Sequence, residues 1–235
     1  MSHPPLPENV FVSGASKGIG LAIARTFLNE GFNVAISART EADLQALKAE
    51  HPGLQTFQAD MSRKEDVLRL ADWLNTEFGT LDLLVNNVGR FLPGQIHSES
   101  DETFENTLHT NLFGPYYLTK RVLPPMMARK QGTIVNICST ASITAYPNGG
   151  SYCISKFALH GFSKELREEL KPHNIRVVSV LPGATFTASW EGADVPEERL
   201  MPAEDIAAAV WQAWAMSPRT VVEEILLRPM LGDLG

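Results

Sequence analysis

The sequence has few cysteines, no excess of basic residues and no long apolar run, and each shortage excludes a class of protein. Two cysteines among 235 residues are too few for a disulfide framework. Acidic residues outnumber basic ones by 27 to 20, which argues against a nucleic-acid or anionic-lipid surface, since both need cationic excess. No apolar run is long enough to cross a bilayer, and residues 1–8 do not resemble a targeting leader. We expect a cytoplasmic protein with small-molecule partners, in which residues 1–8 form a flexible tail.

Short apolar runs alternate with helical patterns along the chain, and this alternation is typical of βα crossovers and a parallel sheet. The runs are continuous, as expected for strands that are covered on both faces. Strands are predicted at 9–13, 32–38, 55–59, 81–85, 133–138, 175–181 and 221–227. Helices are predicted at 21–28, 41–50, 63–78, 102–130, 153–171 and 203–216. The pattern predicts an α/β fold over a single domain, 1–235, with a doubly wound parallel sheet of about seven strands and helices on both faces.

Several residues with possible chemistry are expected to be structural. Cys138 and Cys153 fall within predicted core elements and are interpreted as small buried hydrophobes. Trp211 and Trp214 lie three residues apart on a helical stretch, which favours a packing stripe. The histidines do not pair with acids or cysteines at metal-ligand spacings, so no metal site is expected, and these are interpreted as ordinary surface or helix residues: His51, His97, His109, His160 and His173.

Gly14, Gly18 and Gly20 follow the first predicted strand and open the first predicted helix. Glycines at such a turn let the backbone bend sharply and bring a helix N-terminus against a pyrophosphate. The spacing is G-x-x-x-G-x-G, which differs from the general G-x-G-x-x-G dinucleotide fingerprint. The pattern therefore favours a nucleotide phosphate site, and the alternative is a merely glycine-rich turn.

The tip of the second predicted strand bears on the choice of cofactor. A carboxylate there would accept hydrogen bonds from the ribose 2′-hydroxyl of NAD. This strand ends instead in Ala38-Arg39-Thr40, and Lys17 projects from the glycine turn. Two cations near one point suit a 2′-phosphate, so the sequence predicts NADP(H). The alternative is that Lys17 and Arg39 are both solvated surface cations.

Tyr152 and Lys156 are four residues apart on a predicted helix, and Ser139 ends the apolar run 133–138. Residues at i and i+4 share one helix face, so the ammonium of Lys156 is expected to lower the pKa of the phenol from its usual value of about 10. Two charges about 4 Å apart interact by roughly 4 kcal/mol at an effective dielectric near 20, which suffices for that purpose. This set can protonate or deprotonate a carbonyl or alcohol oxygen. A Tyr and a Lys at this spacing also occur together by chance, so the pair indicates a catalytic site only in combination with other motifs.

Taken together, these motifs resemble the classical short-chain dehydrogenase/reductase family over nearly the whole chain. The resemblance is carried by the glycine turn 13–20, Asn86-Asn87-Val88-Gly89, Ser139, Tyr152 with Lys156, and Pro182-Gly183. It implies a Rossmann-type fold and a catalytic set of Asn111, Ser139, Tyr152 and Lys156. It also implies cofactor contacts at Gly14, Ser16, Lys17, Gly18, Ile19, Gly20, Arg39, Asp60, Met61, Asn87, Gly89, Tyr152, Lys156, Pro182, Gly183, Thr185 and Thr187.

By that resemblance, the reaction is hydride transfer between a nicotinamide and a carbonyl carbon, with Tyr152 as proton donor and Ser139 as hydrogen-bond donor to the substrate oxygen. Lys156 would hold the nicotinamide ribose, and Asn111 would anchor a water for proton resupply. Three positions depart from the family pattern: Ser13 replaces Thr, Val88 replaces Ala, and Thr185 stands where Val or Ile is common. Ser13 keeps the hydroxyl, so these departures leave the expected chemistry in place.

The segment 188–202 stands where family members have a substrate lid, and it is short. We interpret it as the edge of an open pocket with Trp190 and Phe91 as aromatic contacts, beside Ser139 and Tyr152. The expected activity is NADP(H)-dependent reduction of a carbonyl to an alcohol. The alternatives are a 3-oxoacyl-carrier-protein reductase, for which Arg121, Arg129 and Lys130 offer a small cationic patch, a sepiapterin-type ketone reductase, and a non-enzymatic NADP(H)-sensing regulator. The family resemblance implies a homodimer or homotetramer.

Overall fold

The computed structural model describes residues 8–187 and 195–233. The strands are β1 (Asn9–Ser13), β2 (Asn33–Ala38), β3 (Gln55–Gln58), β4 (Leu83–Asn86), β5 (Gly132–Ile137), β6 (Ile175–Pro182) and β7 (Glu224–Leu227). The α-helices are α1 (Gly18–Asn29), α2 (Glu41–Glu50), α3 (Lys64–Trp73), α4 (Asp101–Leu108), α5 (Gly114–Arg129), α6 (Gly150–Leu170) and α7 (Ala203–Trp214). Trp190, most of the predicted tail and the first half of the predicted lid lie outside the described residues. None of the described helices is long and apolar enough to span a membrane.

All pairings between these strands are parallel, and within the described residues they form one seven-stranded sheet in the order β3-β2-β1-β4-β5-β6-β7. The chain moves outward from β1 to β3, then returns to the other side of β1 and continues to β7. This reversal between β1 and β4 is a topological switch point, where the loops after the two strands part and leave a crevice at the carboxyl edge. The predicted doubly wound fold is confirmed.

The sheet separates two hydrophobic cores, because successive side chains of a strand point to opposite faces. On β1, Val10 and Val12 pack with α1, α2 and α7, while Phe11 packs on the other face with α3, α5 and α6. Coverage on both faces explains why the strands are continuous apolar runs. Cys138 and Cys153 are buried free thiols, which confirms their prediction as core residues.

Four aromatic rings join α1 to α7 at one end of the first core. Trp211 and Trp214 contact Phe27 edge to face, with ring centroids 5.2 Å and 5.7 Å away, and Phe32 contacts Trp214 at 4.9 Å. These distances fall in the range that aromatic pairs favour. The predicted packing stripe of Trp211 and Trp214 is confirmed.

The two predicted helical stretches 63–78 and 102–130 are helical in the structure, and each includes a π-helical turn that the sequence pattern did not predict. The segment 63–78 consists of α3 followed by the turn Leu74–Phe78, and 102–130 contains the turn His109–Phe113 between α4 and α5. A π-turn inserts one residue and rotates the side chains that follow, and such turns often occur at functional sites. The second turn contains Asn111, whose side chain is fully buried.

Gly114, the first residue of α5, allows that helix to approach the backbone after β3. A Cβ placed on Gly114 would lie 2.3 Å from the Met61 carbonyl oxygen, which cannot rotate away. We therefore expect Gly114→Ala to lower the free energy of unfolding by about 3 kcal/mol, the upper range for overpacking. Gly161→Ala on α6 is the matched control, since a Cβ there meets nothing within 4 Å. Urea denaturation should show that Gly161→Ala stabilises by up to about 1 kcal/mol; equal effects of both variants would contradict the steric argument.

Candidate active site

The turn between β1 and α1 places glycine where no side chain fits. Gly14 and Gly18 have φ of +62° and +58°, in the left-handed region that favours glycine. A Cβ on Gly14 would lie 2.6 Å from Val88 Cγ2, and one on Gly20 would lie 2.4 Å from Asn87 Nδ2. The predicted residues Ser16, Lys17 and Ile19 belong to the same segment, and Ile19 packs against the core. The spacing of the glycines is therefore explained by close approach of β4 as well as by backbone conformation.

Asn87 connects this turn to the end of β4. Its Nδ2 donates to the carbonyl oxygens of Ser13 (3.0 Å) and Gly14 (2.9 Å), and its backbone N–H donates to Ser13 Oγ at 3.0 Å. Ser13 Oγ also donates a hydrogen bond to the Val85 carbonyl oxygen. Ser13, which replaces the family's Thr, therefore contacts the end of β4 through the hydroxyl that both residue types have. These hydrogen bonds therefore hold the end of β1 against the end of β4 at the base of the crevice.

The N-terminus of α1 opens onto the crevice with its first N–H groups uncapped by the protein. Lys17 is the N-cap residue, no side chain makes a capping hydrogen bond, and the first turn contains no acid. A helix N-terminus of this kind favours an anion, through its free N–H groups and the helix dipole. The residues present thus fit a dinucleotide pyrophosphate at this turn.

A depression of about 500 Å³ lies beyond the ends of β2 and β3, where the adenosine end of a dinucleotide is expected. Arg39 and Arg63 line it, and neither guanidinium makes a hydrogen bond or ion pair with the described residues. The acids nearby are already engaged: Asp66 pairs with Arg69 at 2.7 Å, which holds the pKa of Asp66 below its usual value. Asp60 Oδ1 accepts from the backbone N–H and the hydroxyl of Ser62 at 2.9 and 2.7 Å. Arg63 was not predicted, because its position depends on how α3 begins.

The opposite end of the crevice is formed by the chain after β6. The Gly183 N–H donates to the Leu227 carbonyl oxygen at 2.8 Å, and Thr185 Oγ1 donates to the Gly183 carbonyl oxygen at 3.0 Å. Thr187 Cγ2 lies 3.2 Å from where a Cβ on Gly18 would be. Of the predicted cofactor residues Pro182, Gly183, Thr185 and Thr187 in this segment, Thr187 therefore lies directly beside the glycine turn.

Tyr152, on the first turns of α6, meets Ser139 at the end of β5. Ser139 is the N-cap residue of the short helical turn 140–142, and its Oγ accepts the Ala141 N–H at 3.1 Å. Burial raises the pKa of the Tyr152 phenol, and a hydrogen bond from Ser139 acts in the opposite direction. The structure thus differs from the expectation of a lowered pKa, because desolvation outweighs the groups that favour the phenolate.

Lys156 is buried one turn further along α6. Its Nζ donates to the Ile137 carbonyl oxygen at 2.8 Å and lies 5.8 Å from the centroid of the Tyr152 ring. Nζ is also 3.2 Å from where a Cβ on Gly89 would be, so Gly89 keeps the space beside the amine open. Burial lowers the pKa of Lys156 to about 8, because the charged form loses its hydration.

The low pKa of Lys156 should give the cofactor-free protein a pH-dependent stability. Below pH 8 the amine is charged in both states, and the folded state bears the full cost of burying that charge. Between pH 8 and 10.5 only the unfolded chain binds the proton, so stability rises with pH. We expect the unfolding free energy of Lys156→Met minus that of the parent to fall by about 3 kcal/mol from pH 7 to pH 10.5. Urea titrations at both pH values measure this, and a constant difference would contradict it.

Asn111 connects α6 to the loop after β4. Its Oδ1 accepts the Arg90 N–H at 2.8 Å, and its Nδ2 donates to the Arg90 carbonyl oxygen at 3.1 Å and to Ser155 Oγ at 2.9 Å. Ser155 Oγ in turn donates to the Tyr152 carbonyl oxygen at 2.7 Å. Asn111 is thus linked to the helix that carries Tyr152 and Lys156 through Ser155, a residue that the sequence analysis missed. In the sequence, the only feature that pointed to Ser155 was its position next to Lys156.

Two further predictions concern Phe91 and His160. Phe91, which was predicted as a substrate contact, packs edge to face on Tyr152, with ring centroids 5.0 Å apart. His160, which was predicted as an ordinary surface or helix residue, lies on α6 and is buried, and its Nε2 lies 3.1 Å from Glu224 Oε1 on β7. The described residues contain no group of three His, Cys, Asp or Glu side chains suited to a metal.

Comparisons with known proteins agree with this geometry. A family model described as short chain dehydrogenase matches residues 8–197. A sepiapterin reductase of Chlorobaculum tepidum is 38% identical, over 96% of this chain and 97% of that protein. The closed form of serine dehydrogenase complexed with NADP+ superposes with a TM-score of 0.89 at 31% identity, covering 97% of each chain. A metagenomic short-chain oxidoreductase in complex with NADP gives a TM-score of 0.83 at 30% identity, covering 95% of this chain and 97% of that one.

Proposed function

Because the chain belongs to the short-chain dehydrogenase family, we propose that it is an NADP(H)-dependent oxidoreductase that reduces a carbonyl group to an alcohol. The observation that carries this proposal is the geometry of α6 beside the glycine-lined crevice, where Lys156 Nζ lies 5.8 Å from the centroid of the Tyr152 ring, together with Ser139 next to the phenol. Lys156 lies on the same helix next to Gly89, on the cofactor side. A proton donor, a second hydrogen-bond donor and a cation thus surround one point where a carbonyl oxygen can bind.

The bound cofactor supplies the hydride that adds to the carbonyl carbon, and the protein handles the oxygen. The Tyr152 hydroxyl transfers its proton to that oxygen as the electron pair of the C=O bond moves onto it. The raised pKa of Tyr152 suits this direction, because the phenol stays protonated and able to donate. Ser139 donates a hydrogen bond to the same oxygen, a role that contributes about 3–4 kcal/mol in well-formed sites. Lys156 returns a proton to Tyr152 and binds the ribose hydroxyls.

The choice of NADP(H) is supported by charge at the adenosine end. Lys17 and Arg39 are exposed, and among the described residues their side-chain nitrogens have no hydrogen-bond or ion-pair partner. Elsewhere in the described structure, arginines such as Arg25 and Arg167 are paired with glutamates. The structures of related proteins that contain NADP or NADP+ agree with this choice.

A sepiapterin-type ketone is the second candidate substrate, favoured by 38% identity to the sepiapterin reductase over nearly both full lengths. A 3-oxoacyl-carrier-protein substrate has less support. Arg129, one of its three docking cations, pairs with Asp82 at 2.9 Å and donates to the Gln131 carbonyl oxygen at 3.2 Å, so its guanidinium is already occupied by contacts within this chain. Arg121 and Lys130 remain available.

Assembly into a homodimer or homotetramer is also proposed. Phe113 ends the π-helical turn before α5, Tyr116 lies on α5 and Phe157 lies on α6, and these side chains are 36%, 42% and 45% exposed. Exposed apolar side chains of this size favour burial against another protein surface. Light scattering of the purified protein measures the state, and a monomer at micromolar concentration would contradict the proposal.

The proposed activity is tested by NADPH oxidation across a panel of aldehydes, diketones, 3-oxoacyl thioesters and sepiapterin. Turnover of one class, followed at the nicotinamide absorbance, supports the reductase and identifies its substrate class. NADPH binding without turnover of any class contradicts it and favours a cofactor-sensing regulator. Isolation of the alcohol product excludes oxidation of NADPH by dioxygen as the source of the absorbance change.

A further inference from the structure

The segment between β4 and α4 is held against the start of α6, the helix that carries Tyr152. Gly94 forms a parallel bridge with Gly149, and its N–H donates to the Asn148 carbonyl oxygen at 3.0 Å. Gln95 Nε2 donates to Asn148 Oδ1, also at 3.0 Å. These two hydrogen bonds hold Asn148 in the left-handed region, at a φ of +60° that few residues other than glycine adopt.

Glu99 lies further along the same segment, and its carboxylate contacts the first turn of α6. Glu99 Oε2 accepts the Ser151 N–H at 3.4 Å. The same oxygen lies 3.0 Å from where a Cβ on Gly150 would be, and 3.3 Å from where a Cβ on Gly94 would be. The absence of side chains at Gly94 and Gly150 therefore leaves the space that the carboxylate occupies.

The first turn of α6 has no capping group of its own. Its N-cap residue is Gly149, no side chain of that residue can make a capping hydrogen bond, and the turn contains no acid. Gly149 and Gly150 also lose more conformational freedom on folding than other residues would, so this turn depends on contacts from elsewhere in the chain. The free N–H groups and the dipole of a helix N-terminus favour an anion, and Glu99 supplies one.

Tyr152 directly follows Ser151, so the position of this turn sets the position of the phenol. The other groups of the site are held separately, because Ser139 caps the turn after β5 and Lys156 Nζ donates to a carbonyl oxygen at the end of β5. We propose, on the basis of the proposed function, that Glu99 is a positioning residue whose carboxylate fixes the first turn of α6, so that the Tyr152 hydroxyl meets the substrate oxygen. A displacement of about 1 Å can lower the rate of a reaction about 10²-fold.

The test measures kcat and the KM for NADPH in three variants of Glu99, with the best substrate of the panel. Glu99→Ala removes the contact, Glu99→Asp keeps the charge but shortens the side chain by one methylene, and Glu99→Gln keeps an oxygen that can accept the Ser151 N–H. Glu102→Ala is the matched control, because Glu102 is an exposed acid on α4 that contacts Asn106 of its own helix at 3.5 Å.

We expect Glu99→Ala to lower kcat about 10-fold, and Glu99→Asp to lower it in the same direction, because the phenol is displaced from the substrate oxygen. Glu99→Gln should recover most of the parental kcat, and Glu102→Ala should retain it. The KM for NADPH should be unchanged in every variant, since Glu99 contacts the start of α6 rather than the glycine turn.

A double-mutant cycle with Tyr152→Phe separates positioning of the hydroxyl from a general loss of structure. If Glu99 acts through that hydroxyl, Glu99→Ala should change the residual rate of Tyr152→Phe by less than about 2-fold. Circular dichroism and NADPH affinity verify that each variant folds. Equal losses in both backgrounds, or parental kcat in Glu99→Ala and Glu99→Asp, contradict the inference and leave the proposed function intact. Absence of Tyr152-dependent oxidation of NADPH by the parent with any substrate of the panel contradicts the proposed function, and this inference with it.

Discussion

Replacing Tyr152 with Phe should lower kcat for carbonyl reduction about 10²–10⁴-fold, the usual contribution of a positioned general acid. The variant keeps the ring that packs on Phe91 and loses only the hydroxyl that hydrogen-bonds Ser139. NADPH binding should therefore be unchanged, and the loss should appear in kcat. Steady-state kinetics with the best substrate of the panel and a fluorescence titration of NADPH measure the two quantities.

Tyr116→Phe is the control for this result, because Tyr116 is 42% exposed and lies on α5. It removes the same hydroxyl at a distance from Ser139 and should keep the parental rate. Ser139→Ala should also reduce kcat, by about 10²–10³-fold, if its hydroxyl stabilises the same oxygen. Parental turnover by Tyr152→Phe would falsify the proposed mechanism.

The second large effect is expected on cofactor choice. Lys17→Ala combined with Arg39→Ala should lower the ratio of kcat/KM for NADPH to that for NADH by at least about 10²-fold, since hydrogen bonds to charged groups contribute about 1.5–3 kcal/mol each. Both side chains are exposed, and neither is paired within the described structure, so their removal should leave the fold unaffected. The effect should appear almost wholly in the KM for NADPH, and it should weaken at high salt.

Lys48→Ala provides the control for net charge, because Lys48 is an exposed cation in the last turn of α2. It should leave the cofactor ratio unchanged. Arg63→Ala extends the series to the other unpaired guanidinium that lines the same depression. If the double variant kept the parental ratio of NADPH to NADH, Lys17 and Arg39 would be ordinary surface cations and the assignment of the 2′-phosphate site would be wrong.

Features that depend on neighbours in the chain were predictable from the sequence. The strand positions followed from continuous apolar runs, because strands covered on both faces need apolar side chains at every position. The glycine turn followed from residues that adopt positive φ at little cost, as Gly14 and Gly18 do. The approach of Lys156 to Tyr152 followed from helix periodicity. The family resemblance then supplied Asn111, which no local pattern connects to that pair.

Features that depend on partners distant in the chain were not predictable. The contacts of Asn111 with Arg90 and Ser155 join residues 21 and 44 positions apart, and the hydrogen bond between Asn86 and Asn136 spans 50 positions across two strands. The π-helical turn that contains Asn111 replaced a helix that propensity alone would have continued. The contact of His160 with Glu224 on β7 joins residues 64 positions apart.

The pKa of Tyr152 shows most clearly the difference between properties that follow from the sequence and properties that depend on the tertiary structure. The sequence by itself determined that a phenol and an amine would lie at helix spacing, that a hydroxyl would follow one of the strands, and that these strands would form a parallel sheet. Only the tertiary structure decided the electrostatics: Lys156 Nζ binds the Ile137 carbonyl oxygen, and burial raises the pKa of the phenol. Periodicity is a local property of the chain, whereas desolvation depends on every element packed around a group.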